Sequence, residues 1–227
     1  MLSANSLRKL FAEFLGTAGI VATVVGTGHM VRVLDSDSTV GLILMALAVG
    51  GTLFGAISLL MPISGAHFNP AVTIIMGLEK KIEFGLGVQY IVFQILGGIS
   101  GAVVANLMFM DELISSSAGA RLNAGTLLGE VVATFGLVLM ILLFVRQNQL
   151  HLIATGVALW IIAGHFFTSS TSFANPAVTI GRSFTDTATG IDWQATVAFI
   201  PMQLVGAFLA LLVFKVFHPT KEQEQHD

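Results

Sequence analysis

The 227-residue sequence contains no cysteine, which excludes disulfides, thiolate metal sites and thiol catalysis. Charge is scarce as well. Asp, Glu, Lys and Arg make up 10% of the chain, against about 25% in a typical soluble domain. The ten Lys and Arg stand singly or in pairs, with no basic stripe interleaved with aromatics, so nucleic-acid recognition has no footing. No glycine-rich loop follows a strand pattern and no His-Glu-x-x-His occurs, so phosphate-cradling and zinc-protease chemistry are not expected. No metal or cofactor is expected. Ser64, Ser172, His67 and His165 show neither triad nor ligand spacing, and an enzyme reading fails on that ground. What fills the chain instead is apolar: 55% of its residues are hydrophobic, the composition of a membrane protein.

A bilayer core about 30 Å thick needs about 20 apolar residues in a helix. Six stretches reach that length, at residues 7–29, 38–61, 84–109, 124–145, 150–168 and 193–217. The expected fold class is an all-α membrane protein with six transmembrane helices. The first stretch follows Arg8 and Lys9 but is long for a signal peptide, and no small-residue cleavage site leads into a soluble domain, so it reads as a span. Six spans put both termini on one face. Arg8, Lys9, Lys80, Lys81, Arg146, Lys215 and Lys221 gather on that terminal face, against Arg32, Arg121 and Arg182 on the far face. The positive-inside rule then predicts cytoplasmic termini in the cell (inner) membrane. Residues 218–227 read as a short, charged, solvated cytoplasmic tail.

One hexapeptide, Asn-Pro-Ala-Val-Thr-Ile, occurs twice, from Asn69 to Ile74 and from Asn175 to Ile180. The flanks agree too: Glu13 near the start of the first span matches Glu130 near the start of the fourth, and Gln94 in the third matches Gln203 in the sixth. The two repeats, approximately 7–109 and 124–217 within a single domain 1–227, hold three spans each. Because three is odd, the second enters the membrane from the opposite side, and the repeats are inverted about an axis in the membrane plane. Each hexapeptide opens an apolar segment, 70–78 or 176–184, too short to cross, which reads as a re-entrant half-helix.

Proline is tolerated at the first helical position, where no amide donor is needed, and the asparagine before it is a strong N-cap. Asn69, Pro70 and Ala71, with Asn175, Pro176 and Ala177, therefore start two short helices whose positive ends meet at mid-membrane. A passing water or hydroxyl finds hydrogen-bond donors there, whereas a cation or a proton on a water wire meets a repulsive field. Non-helical backbone survives at membrane depth only when buried in protein or lining water, which argues for a pore. A secondary transporter is the alternative on the same inverted plan, but it is expected to show coupling-ion ligands at the midplane. Only Asn69, Asn175, Glu13 and Glu130 are available. The two glutamates, costly in a bilayer, are either a proton relay or acceptors for the amides of the re-entrant loops. His67, just before the first box, either holds its loop or lines the pore.

On these twin boxes the chain resembles the aquaporin, or major intrinsic protein, family over nearly its whole length. The resemblance implies six spans and two half-helices in a right-handed bundle, assembled as a homotetramer with one pore per subunit and conducting water and small neutral solutes across the lipid bilayer. It also implies that Glu13 and Glu130 accept hydrogen bonds from the backbone of the box loops. One position departs from the family pattern, which usually has arginine after the second Asn-Pro-Ala where this chain has Val178. On that pattern the other constriction positions fall on Val49, Ala163 and Ser172. A ring of these residues is a wide, uncharged selectivity filter, as expected of an aquaglyceroporin-like channel passing polyols. Such arginine-less members resemble a bacterial branch linked with metalloid solutes, including arsenite and organoarsenicals. His165 lies two residues beyond Ala163, where a small shift in register brings it into the filter; otherwise it is bonded within the vestibule. Arg182, one helical turn beyond Val178, is either a charge at the pore mouth or a snorkelling interfacial side chain.

Overall fold

The computed structural model describes residues 3–117 and 121–218. In chain order its helices are α1 (Ala4–Val33), α2 (Ser38–Ser64), α3 (Pro70–Leu78), α4 (Phe84–Met108), α5 (Ala124–Arg146), α6 (Ile153–Phe167, entered through a 3-10 turn at Leu150–Leu152), α7 (Pro176–Arg182) and α8 (Trp193–Phe217). No strand occurs among the described residues. All but α3 and α7 are long and apolar enough to cross a membrane, α6 together with its 3-10 turn. The two exceptions have nine and seven residues and are the half-helices. The second ends at Arg182, two residues short of the expected segment. The expected tail, apart from His218, lies outside the described residues.

Several spans begin outside their apolar runs because polar residues cap them. Ser3 accepts from Ser6 N, Asp37 from Thr39 N and Val40 N, and Asp192 from Ala195 N; Asn123 and Thr126 form a reciprocal capping box. These caps satisfy amides that the first turn leaves without partners.

The two halves pack alike. In the first half α4 crosses α1 so closely that a Cβ added at Gly97 or Gly101 would strike the carbonyl of Phe14 or Ala18. In the second half α8 crosses α5 the same way, with Gly206 against the carbonyl of Val131. Small residues at such crossings let backbones approach where lipid offers no hydrophobic drive for association. Glycines also seat the second half-helix: an added Cβ at Gly98 would lie 2.6 Å from Ala177 O, and one at Gly181 would lie 2.6 Å from Gly98 O. The outer faces of the spans are apolar. Leu59, Phe84 and Val216 are 76%, 87% and 77% exposed, a surface suited to hydrocarbon rather than water.

Candidate functional site: a channel between two half-helices

Both half-helices start as proline at the first position requires. Asn69 and Asn175 are extended, with φ of −152° and −156°, and their side-chain oxygens accept from Ala71 N at 2.9 Å and Ala177 N at 3.0 Å. The amide nitrogens cross between the halves. Asn69 Nδ2 donates to Ala174 O at 2.8 Å and Asn175 Nδ2 to Phe68 O at 2.7 Å. Each asparagine thus uses one amide hydrogen to join the boxes and keeps a second for the lumen it lines.

The loops leading into the boxes repeat one backbone pattern. Gly65, Ala66 and Phe68 have φ of 88°, 50° and 49°; Thr171, Ser172 and Ala174 have 62°, 52° and 49°. Left-handed backbone costs a side-chain-bearing residue roughly 1–2 kcal/mol, so such loops persist only where their surroundings hold them. Buried carboxylates do that here. Glu13 Oε1 accepts from His67 N at 3.0 Å and Ser64 Oγ at 2.6 Å, while Oε2 accepts from Phe68 N and Gln94 Nε2, both at 2.7 Å. Glu130 accepts from Phe173 N at 3.0 Å, Ala174 N at 2.9 Å and Gln203 Nε2 at 2.6 Å. Each glutamine also donates to the threonine of its box, Gln94 to Thr73 Oγ1 at 3.0 Å and Gln203 to Thr179 Oγ1 at 2.8 Å. Both glutamates are fully buried behind the loops, placed as acceptors for stranded amides.

A cavity of about 210 Å³ extends between the loops, from Lys81 on the terminal side past Asn69 and Asn175 to Arg182 on the far side. Its walls are single faces of helices, read every fourth residue: Val49, Leu53 and Ile57 from α2, and Ile153, Val157, Ile161 and His165 from α6. Val178 and Ser172 join Val49 in this lining, and His67 lines it too. His67 does both things open to it, since Nδ1 shares a hydrogen bond with Thr73 Oγ1 at 3.1 Å and the ring meets Tyr90 edge-on with centroids 5.4 Å apart. Pro70, Ala71, Pro176 and Ala177 are buried behind the lumen and do not border it.

One expectation is corrected. Ala163 does not line the cavity; it is exposed on the outward side of α6, and His165 takes the lumen position. Two residues are about 200° around a helix of 3.6 residues per turn, so the two positions face opposite ways. His165 Nδ1 donates to Ile161 O at 2.7 Å, which fixes the ring and leaves Nε2 as an acceptor. Of the two readings left open for Arg182, the geometry favours the pore mouth: it is 2% exposed and borders the cavity.

Sequence reasoning also missed Phe173, Met76 and Lys81, which border the lumen. The repeat carried the signal for two of them. Between the boxes, positions 106 residues apart correspond, so His67 maps onto Phe173 and Met76 onto Arg182.

Residues 1–150 match the family model described as Major intrinsic protein. Aquaglyceroporin AqpS of Rhizobium meliloti (strain 1021) is 39% identical over 208 residues, covering 92% of this chain and 89% of that protein. A probable aquaporin of Oryza sativa subsp. japonica is 31% identical, over 94% of this chain and 88% of that protein. Among solved structures, the aquaglyceroporin from Plasmodium falciparum superposes with a TM-score of 0.75 over 94% of this chain and 98% of that one, at 22% identity, a likeness of fold. With twin boxes at the starts of two short half-helices, a lumen between them and relatives matched along nearly its whole length, the chain belongs to the major intrinsic protein family of multi-pass membrane channels for water and small solutes.

Proposed function

We propose that the protein is a permissive passive channel passing water and small neutral hydroxylated solutes: glycerol-like polyols first, with neutral arsenite or organoarsenicals as further candidates. The observation that carries this reading is Val178. At the position after the second Asn-Pro-Ala, where the family pattern places arginine, an aliphatic side chain borders the lumen, as Val49 does. An aliphatic wall leaves room for a carbon skeleton, while the asparagine amides and Ser172 serve its hydroxyls. The 39% identical relative named an aquaglyceroporin supports a solute range wider than water. We assign the chain to the inner membrane with both termini in the cytoplasm, on the seven cations of its terminal face against three on the far face. A homotetramer with one pore per subunit accompanies this assignment.

Stopped-flow measurements on proteoliposomes test the reading with water, glycerol, urea and neutral arsenite, repeated on Val178→Arg. Glycerol enters wild-type vesicles, and Val178→Arg slows glycerol more than water. A wild-type channel that conducts water but excludes glycerol refutes the permissive pore; saturable, gradient-coupled uptake refutes the channel in favour of a transporter.

A further inference from the structure

His29 is a buried titratable side chain for which conduction of neutral solutes has no use. It stands near the far end of α1, fully buried and stacked on Phe109 with ring centroids 4.8 Å apart. Its two ring nitrogens have fixed roles. Nε2 meets Asn106 Oδ1 at 2.9 Å. Both amide hydrogens of Asn106 are already donated, to Leu113 O and Phe184 O at 3.1 Å each, and its oxygen also accepts from Thr185 Oγ1 at 3.0 Å. Nε2 is therefore the donor and carries the proton of the neutral ring. Nδ1 is then the acceptor: Arg32 Nη2 donates to it at 3.0 Å and to Asp111 Oδ2 at 2.6 Å.

A proton added to His29 reverses one of these roles. Nδ1 becomes a donor facing the donor on Arg32, and that hydrogen bond is lost. Asp111 Oδ2, 3.6 Å away, is the acceptor within reach, and a charge-assisted bond to it closes to about 2.8 Å. The side chain of Arg32 is 57% exposed and that of Asp111 32%, so the arginine has water to move into while the carboxylate moves inward. Among the described residues, these two are the charged groups in contact with the ring. On the other elements packed against this end of α1, α2 approaches through Gly41 against Val31, with the Asp37 carboxylate held by the amides of its own cap. The segment after α7 presents Thr187 and Thr189 to Gly28.

The exchange reaches the channel through the same residues. Phe184 O accepts from Asn106 Nδ2 at 3.1 Å and from Ser115 N at 3.3 Å, and Asp186 N donates to Ser115 Oγ at 2.8 Å. The segment that carries Asp111 is thus tied to the segment leaving α7. That second segment returns Thr189 O to Arg182 Nε at 2.6 Å, and Arg182 borders the far end of the cavity. We propose that His29 is a proton-operated latch on the far end of the channel: on protonation it exchanges Arg32 for Asp111, draws the segment after α4 inward and lowers conduction. The proposal rests on the channel reading above and adds regulation by acid to it.

Glycerol and water flux into proteoliposomes of the full chain, with equal pH on both sides, tests the latch between about pH 8 and pH 5, the span in which histidines change charge. Wild-type flux should fall on acidification by about twofold or more, as a proton shifts the balance between two arrangements. His29→Gln offers a donor to Asn106 and an acceptor to Arg32 but takes up no proton in this range. It should match wild type at the alkaline end and keep that flux at the acid end. Asp111→Asn removes the charge that the protonated ring needs, and should move the fall to lower pH. Wild-type flux that is flat or rises on acidification overturns the latch whether or not any variant folds, and leaves the channel reading standing. A His29→Gln protein that keeps the wild-type fall overturns it too, because the titrating group then lies elsewhere, at His67 or His165 in the lumen. Wild-type protein that passes neither water nor glycerol at any pH overturns the channel reading itself.

Discussion

Glu130→Ala should destabilise the protein by about 2–6 kcal/mol, a figure that follows from its acceptor geometry. The carboxylate is fully buried and accepts from Phe173 N, Ala174 N and Gln203 Nε2, beside a further hydrogen bond with the Ser170 side chain. Gln203 Nε2 keeps a second acceptor in Thr179 Oγ1 at 2.8 Å, so truncation strands the two backbone amides. Each buried donor left without a partner costs about 1–3 kcal/mol. Relief of the carboxylate's own desolvation, and water entering the vacated space, push the result toward the lower end of that range. The damage falls beside Ser172 and Ala174, whose φ of 52° and 49° the carboxylate helps to hold, so the lumen wall at Ser172 relaxes along with the loop. Thermal unfolding of the purified protein in detergent, followed by the fluorescence of Trp160 and Trp193, measures the stability, and stopped-flow water flux measures the pore. Alanine should lower the midpoint and slow the flux. Glutamine, whose carbonyl still accepts from the loop, should lie between alanine and wild type in both. A wild-type midpoint in Glu130→Ala refutes the supporting role. A Glu130→Gln protein that unfolds normally yet has lost all conduction refutes it from the other side, because only proton exchange at the carboxylate would then explain the loss.

Two further predictions concern packing and pH. Gly206→Ala and Gly97→Ala place a Cβ against backbone carbonyls of α5 and α1 and should each cost about 1–3 kcal/mol as overpacking, whereas Gly51→Ala, whose Cβ meets open space, should be silent; equal midpoints for all three refute the close crossings. Asp111, beyond the end of α4, accepts from Arg32 Nη2 at 2.6 Å and lies 3.6 Å from His29 Nδ1. The hydrogen bond from Arg32 holds its carboxyl below the usual carboxylate range. A depressed folded-state value means that this pair stabilises the protein above the ordinary carboxylate pKa of about 4, and that the contribution disappears as pH falls through the lowered value. Unfolding midpoints measured from neutral pH downward should therefore fall less steeply for Asp111→Asn than for wild type, and parallel curves refute the linkage.

What could be read in advance was what depends on length and identity. A span is recognised by an apolar run long enough for the bilayer, and the boxes by repetition, because proline after a capping asparagine admits few backbone geometries. The supporting glutamates followed from the same logic, since irregular loops at membrane depth need acceptors. What could not be read was which way each helix faces. In a soluble helix the polar face marks the outside; here the lumen side and the lipid side are both apolar, so Ala163 and His165 looked alike as candidates. A weak signal existed nonetheless. Ile153, Val157, Ile161 and His165 recur every fourth residue, and a stripe that ends in a histidine is more economically placed on a lumen than against lipid, where an imidazole has no partner. The same periodicity links Val178 to Arg182 and Val72 to Met76. Once Val178 is placed in the wall, one turn of helix carries Arg182 into it as well. A guanidinium buried there carries the general desolvation cost of a charge taken out of water. That cost is met only in part, by Thr189 O on the Nε side and by the face of Phe173, with Nη2 left without a hydrogen-bond partner; no count along the chain reveals these partners, because the loop bringing residue 189 back to Arg182 has no periodicity to extrapolate.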